Sequence, residues 1–105
     1  MAKKENIKKE LKEFKKKLSN RIKIDRMIFF GSLAKGRGHK YSDVDLVIIS
    51  PQFRGKEFRD RSLGFYKYWN LNLPFDFLCY TPAEFNKLKK QITIVREAVK
   101  EGIVI

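Results

Sequence analysis

Two short stretches, Met27–Phe30 and Leu46–Ile49, are apolar at every position. A strand with one face in water alternates apolar and polar side chains; a run apolar on both faces belongs in a sheet covered on both sides. Such a sheet needs helices against it, and the flanking sequence supplies them. Ile7, Leu11, Phe14, Leu18 and Ile22 recur at three- and four-residue spacing. Lys and Glu fill the other face, so residues 3–20 read as an amphipathic, basic helix that stops near Asn20. Thr81-Pro82-Ala83-Glu84 is a helix start, with Thr as N-cap, Pro at the first helical position and Glu at the third. A further helical stretch runs through Ile92, Val95 and Val99 to Gly102, after which Ile103–Ile105 adds a last strand. Leu73–Tyr80 reads as a third strand, with Pro74 tolerated near its start. Residues 54–69 read as another helix, with Phe58, Phe65 and Trp69 on one stripe. Leu33–Tyr41 reads as a short helical turn followed by a loop. The predicted class is α/β (α+β): a small mixed sheet of about four strands flanked by helices, forming one domain over residues 1–105.

The chain carries 24 Lys and Arg against 12 Asp and Glu, a formal net charge of +12. That excess points to a polyanionic partner, nucleic acid or nucleotide phosphates among them, although a Lys-rich helix face serves equally as solvated surface. The single cysteine, Cys79, excludes an internal disulfide and a multi-cysteine zinc site. It alternates in step with Phe75 and Phe77 and reads as a small buried hydrophobe. No apolar run approaches the ~20 residues that cross a bilayer, and the N-terminus is polar, so the expected compartment is the cytoplasm and no membrane partner is expected. His39, in a Gly-rich loop, reads as a surface histidine. Tyr66, Tyr68 and Trp69 could stack on a base, but the helical spacing of Phe65 and Trp69 favours packing.

The informative charges are the negative ones. Only five aspartates are present, and three of them, Asp43, Asp45 and Asp76, lie in or beside strand-like segments. Asp is depleted in strands and is seldom buried without a partner. Because side chains alternate along a strand, Asp43 and Asp45 point the same way, with Cβ atoms ~7 Å apart. Asp76 repeats the pattern, opposite in face to Phe75 and Phe77. If the two strands are neighbours, three carboxylates converge. Carboxylates so placed need a cation, and hard oxygen ligands suit Mg²⁺ in a two-metal phosphoryl-transfer site. Gly31-Ser32 ends the first apolar strand and leads into a helical turn, offering backbone N–H groups and a hydroxyl to phosphate. Lys35 and Arg37 follow, placed either to neutralise a triphosphate or to sit as exposed loop charges.

Gly31-Ser32, ten residues, then Asp43-Val44-Asp45 resembles the signature of the DNA polymerase β-like nucleotidyltransferases. The longer string GSLAKGRGHKYSDVDLVII resembles the minimal nucleotidyltransferase (MNT) group of that superfamily, and Asp76 matches its third carboxylate. The similarity spans most of residues 22–105. It implies a small mixed sheet flanked by helices, a nucleoside triphosphate such as ATP bound with two Mg²⁺ (or Mn²⁺) ions, and transfer of a nucleoside monophosphate to an acceptor hydroxyl. By the same resemblance Gly31 and Ser32 hold the β- and γ-phosphates and Asp43 and Asp45 ligate the metals. Asp76 ligates the acceptor-side metal and helps deprotonate the attacking hydroxyl. Many minimal members are encoded beside a HEPN-domain protein, and in several such pairs the MNT protein is an antitoxin that transfers AMP to tyrosines of the HEPN toxin, so the resemblance implies a HEPN protein as partner. Transfer to RNA or to a small molecule, and a non-catalytic partner- or RNA-binding module on the same fold, are the alternatives. The complete set of three aspartates opposes the last.

Overall fold

The computed structural model describes residues 4–38 and 42–105. The chain begins with helix α1 (Lys4–Leu18), whose Ile7, Leu11, Phe14 and Leu18 are all buried. Strand β1 (Arg26–Phe30) runs straight into a one-turn helix, α2 (Gly31–Ala34). Strand β2 (Val44–Ile49) follows. Strand β3 (Phe75–Tyr80), helix α3 (Pro82–Leu88), helix α4 (Ile94–Glu101) and the two-residue strand β4 (Ile103–Val104) complete the order. The Thr81 hydroxyl accepts from the Glu84 amide while the Glu84 carboxylate accepts from the Thr81 amide, the reciprocal capping that the sequence pattern predicts. Thr93 caps α4 one way only, its hydroxyl accepting from the Arg96 amide; the helix therefore starts at Ile94 and leaves Ile92, predicted within it, exposed outside.

The four strands form one mixed sheet in the order β3-β2-β1-β4. β1 is antiparallel to both β2 and β4, whereas β2 and β3 are parallel. Both faces are covered, as the apolar strands require. On one face Met27, Phe29, Val44, Leu46 and Ile48 pack against α1 and the aromatic residues Phe53 and Phe65. On the other, Ile28, Phe30, Val47 and Ile49 pack against Phe85 of α3 and Val95 and Ala98 of α4. β4 reaches β1 because Gly102 has no side chain: a Cβ there would overlap the Ala98 carbonyl and the Ile28 side chain.

One predicted element is absent. Residues 54–69 do not form a helix; they form two short 3₁₀ turns, Phe58–Asp60 and Phe65–Tyr68. Gly55 and Gly64 both take positive φ, +79° and +83°, and a left-handed residue at 64 interrupts any helical run. The supposed stripe accordingly splits: Phe65 is buried, Trp69 half-buried and Phe58 exposed. Trp69 packs edge-on against Phe14 (centroids 5.1 Å apart) and its indole N–H donates to the Leu73 carbonyl, so it serves the core. β3 begins at Phe75, after Pro74 and two residues later than the sequence pattern predicts. Cys79 is buried, and burial pushes its thiol up to about 12, which fits the small-hydrophobe reading. The surface assignment of His39 lies outside the described residues. Among the described residues no helix is long and apolar enough to cross a membrane.

Candidate active site

The sheet topology brings the three aspartates to one end. β1 is antiparallel to β2, so its C-terminal Phe30 lies across from Asp45 at the N-terminal end of β2. β3 is parallel to β2, which sets Asp76 directly beside Asp45 in the register. Side-chain alternation then puts Asp45 and Asp76 on the face that carries Val47, Ile49, Leu78 and Tyr80, the α3/α4 face. Asp43, just before β2, is exposed on the same end.

The electrostatic cost of this grouping falls on Asp45. The Asp45 carboxyl is pushed up to about 6, first by burial, then by the negative charge of Asp76 and of Asp43. A half-buried carboxylate beside two others is short of positive charge, and a bound cation is the direct remedy. No three such groups among the described residues are already gathered around a single point. The donor set fits a divalent ion nevertheless: all-oxygen, carboxylate-rich, and facing solvent for the waters and phosphates that Mg²⁺ retains.

Gly31 closes the site from the side. Its φ is +85°, and a Cβ at this position would overlap the Asp45 carboxylate. Only glycine lets the backbone turn out of β1 this close to the carboxylate. Ser32 follows with an exposed side chain, and its carbonyl accepts from the Arg37 amide at 2.8 Å, folding the loop back over α2.

The structure thus gathers Gly31, Ser32, Asp43, Asp45 and Asp76 at one end of the sheet. It uses Lys35 differently. The Lys35 ammonium pairs with Glu101 at 2.6 Å and Glu97 at 3.5 Å, tying α2 to α4. The hydrogen bond to Glu101 raises the Lys35 pKa and lowers that of Glu101. Arg37 is exposed and adds to the positive charge around Glu101. Sequence reasoning missed both glutamates; their four-residue spacing on one helix face was the available signal.

It also missed Arg61, which is almost fully buried. Its guanidinium donates to the carbonyls of Lys56 and Cys79 and to both carboxylate oxygens of Glu84, the Nη2–Oε2 contact being 3.0 Å. This bidentate pair ties the β2–β3 connection to β3 and α3 and holds Glu84 below the usual carboxylate range.

Comparison with known proteins agrees with this architecture. A family profile described as the nucleotidyltransferase domain matches residues 7–102. The chain belongs to that nucleotidyltransferase family. A solved Sulfolobus solfataricus structure assigned as a nucleotidyltransferase superposes with a TM-score of 0.57 at 15% identity, over 99% of this chain and 87% of that one, and shows the same fold. A second structure assigned as a nucleotidyltransferase aligns at 29% identity with a TM-score of 0.47, over 78% of this chain and 86% of that one. No curated protein matches.

Proposed function

We propose that this nucleotidyltransferase transfers AMP from ATP to a hydroxyl of a partner protein, with divalent metal bound at Asp43, Asp45 and Asp76. The observation that carries the reading is the register pairing of Asp45 with Asp76 beside the Gly31 turn. The metal, Mg²⁺ or Mn²⁺, would supply Lewis-acid charge at the phosphates and at the attacking oxygen. The protein's own part is positioning and charge. Gly31 and Ser32 hold the terminal phosphates, the Ser32 hydroxyl donating to a phosphate oxygen. Asp43 and Asp45 hold the metals against the triphosphate. Asp76 accepts the proton of the acceptor hydroxyl as its oxygen attacks the α-phosphorus. One O–P bond forms, the bond from the α-phosphorus to the bridging oxygen breaks, and pyrophosphate leaves with the electron pair. Asp76 then returns its proton to water. Lys35 reaches the phosphates only by leaving Glu97 and Glu101.

The acceptor is proposed as a tyrosine of a HEPN-type partner in an antitoxin role, which rests on the MNT-like string GSLAKGRGHKYSDVDLVII. RNA is disfavoured as acceptor because the basic helix α1 packs on the sheet face away from the carboxylates. The test is incubation with α-labelled ATP, Mg²⁺ and the product of the neighbouring gene. Label is expected on that product with the wild-type chain and not with Asp43→Ala/Asp45→Ala. Equal labelling by the double variant removes the proposal.

A further inference from the structure

The outer edge of β3 has a part that the chemistry above leaves unused. The Val44 amide donates to the Pro74 carbonyl at 2.8 Å and the Ser50 amide to the Tyr80 carbonyl at 3.1 Å. This phase turns the backbone groups of Asp76, Leu78 and Tyr80 toward β2 and those of Phe75, Phe77 and Cys79 outward. Arg61 takes the Cys79 carbonyl at 3.1 Å and closes the far end of the edge. The N–H and C=O groups of Phe75 and Phe77 have no hydrogen-bond partner among the described residues. An unpaired stretch of edge is a template for another strand. Asp76, a carboxylate of the site, lies in its middle.

We infer that this stretch of β3 is the acceptor dock: an extended, acidic segment of the acceptor protein adds as a fifth strand, antiparallel to β3, and the residue across from Asp76 is the one modified. The inference rests on the protein-acceptor reading above. In such a strand the residue opposite Asp76 points to the carboxylate face, its Cβ ~4.5–5.5 Å from that of Asp76. Its two neighbours point to the other face. There they meet an aromatic ledge: Phe75, 39% exposed, stacks on Phe77 at 4.4 Å and meets Trp69 at 5.2 Å. Main-chain bonds would hold the segment and the ledge would choose apolar flanks. A second copy of this chain is the wrong occupant. Antiparallel pairing of two β3 edges sets one Asp45–Asp76 pair beside another and joins two chains of +12 each. An acidic segment whose carboxylates lie beyond the paired residues meets the chain's net positive charge without setting a carboxylate beside Asp76.

The test uses a short synthetic peptide with Tyr, Ser or Thr at its centre, Val on either side and Glu only at its two ends, outside the paired residues, with α-labelled ATP and Mg²⁺. One twin is N-methylated at the two Val residues, whose amides would bond β3. A second is N-methylated at the central residue, whose amide would face solvent. Labelling is expected for the parent and the second twin, and at least about tenfold less for the first, as follows from losing paired main-chain bonds. Without ATP, the parent peptide is expected to slow amide exchange at Phe75 and Phe77. Equal labelling of all three peptides overturns strand addition and leaves nucleotidyl transfer standing. Labelling of the neighbouring gene product with unchanged exchange at Phe75 and Phe77 does the same. Failure to label any peptide or protein, with exchange unchanged, overturns the protein-acceptor reading as well.

Discussion

Asp45 stands where its charge is least welcome, half-buried and beside Asp76 and Asp43, with a carboxyl that holds its proton up to about pH 6. In the unfolded chain the same group ionises near the ordinary value of 3.8. Between these values the folded state binds more protons, so this group's contribution to stability falls as pH rises from 4 through 6. Asp45→Asn removes that charge. It is expected to stabilise the metal-free protein at pH 7 by about 1 kcal/mol, after discounting for solvent screening, with the gain gone by pH 4. Urea unfolding at the two pH values measures it. The same variant is expected to lose transfer activity. Since a metal needs the ionised carboxylate, stabilisation by Mg²⁺ should shrink below pH 6. Gly31 tests the geometry. Gly31→Ala meets both a positive φ and the Asp45 carboxylate, whereas Gly36→Ala meets a positive φ (+74°) with nothing within 4 Å. Thermal or urea unfolding should show about 1 kcal/mol lost for Gly36→Ala, and clearly more for Gly31→Ala. At this scale the sequence was legible where chemistry is local. Two aspartates two apart in a strand must share a face. That Gly31 touches Asp45 depends on the antiparallel partner and had no local signal.

Among the elements, α2 is fastened to α4 by the Lys35 pairs and the β2–β3 connection to the sheet by Arg61. These ties differ in kind. The Lys35 pairs are surface contacts screened by solvent, so Lys35→Ala is expected to leave the unfolding transition essentially where it is. If Lys35 transfers to the triphosphate in the bound state, the same variant weakens ATP binding about tenfold. Unfolding and ATP titration on one sample separate the two effects. Arg61 is buried and bidentate, and Arg61→Ala leaves the Cys79 carbonyl and Glu84 without it. A loss of about 2 kcal/mol is expected, with little rescue by Arg61→Lys, because an ammonium cannot reproduce the fork. The helices with apolar periodicity or caps were legible, namely α1, α3 and α4. Residues 54–69 were not, because aromatic residues at helical spacing also suit successive 3₁₀ turns around glycines with positive φ. The glycine at 64, inside the stripe, was the warning.

At the scale of the whole molecule, the sheet divides labour between its faces. The α1 face is aromatic and largely buried, with Phe75 half-exposed at its edge; the α3/α4 face ends in the carboxylates. Two buried apolar strands were enough to read a covered sheet, and spacing was enough to name the Gly-Ser and Asp pairs. Strand order was not legible, since β3-β2-β1-β4 is set by which edges pair across long connections. That order is what seats Asp76 beside Asp45. The excess of positive charge, +12, then lies on a frame around a small acidic centre. On the function proposed above, Asp43, Asp45 and Asp76 together bind a metal–nucleotide complex. Calorimetric titration of the full chain with ATP, in Mg²⁺ and again in chelator, with Asp43→Asn/Asp45→Asn alongside, is the decisive measurement. Saturable binding that needs Mg²⁺ and disappears in the double variant is the expected result. Binding that persists in chelator, or that the double variant retains in full, contradicts it.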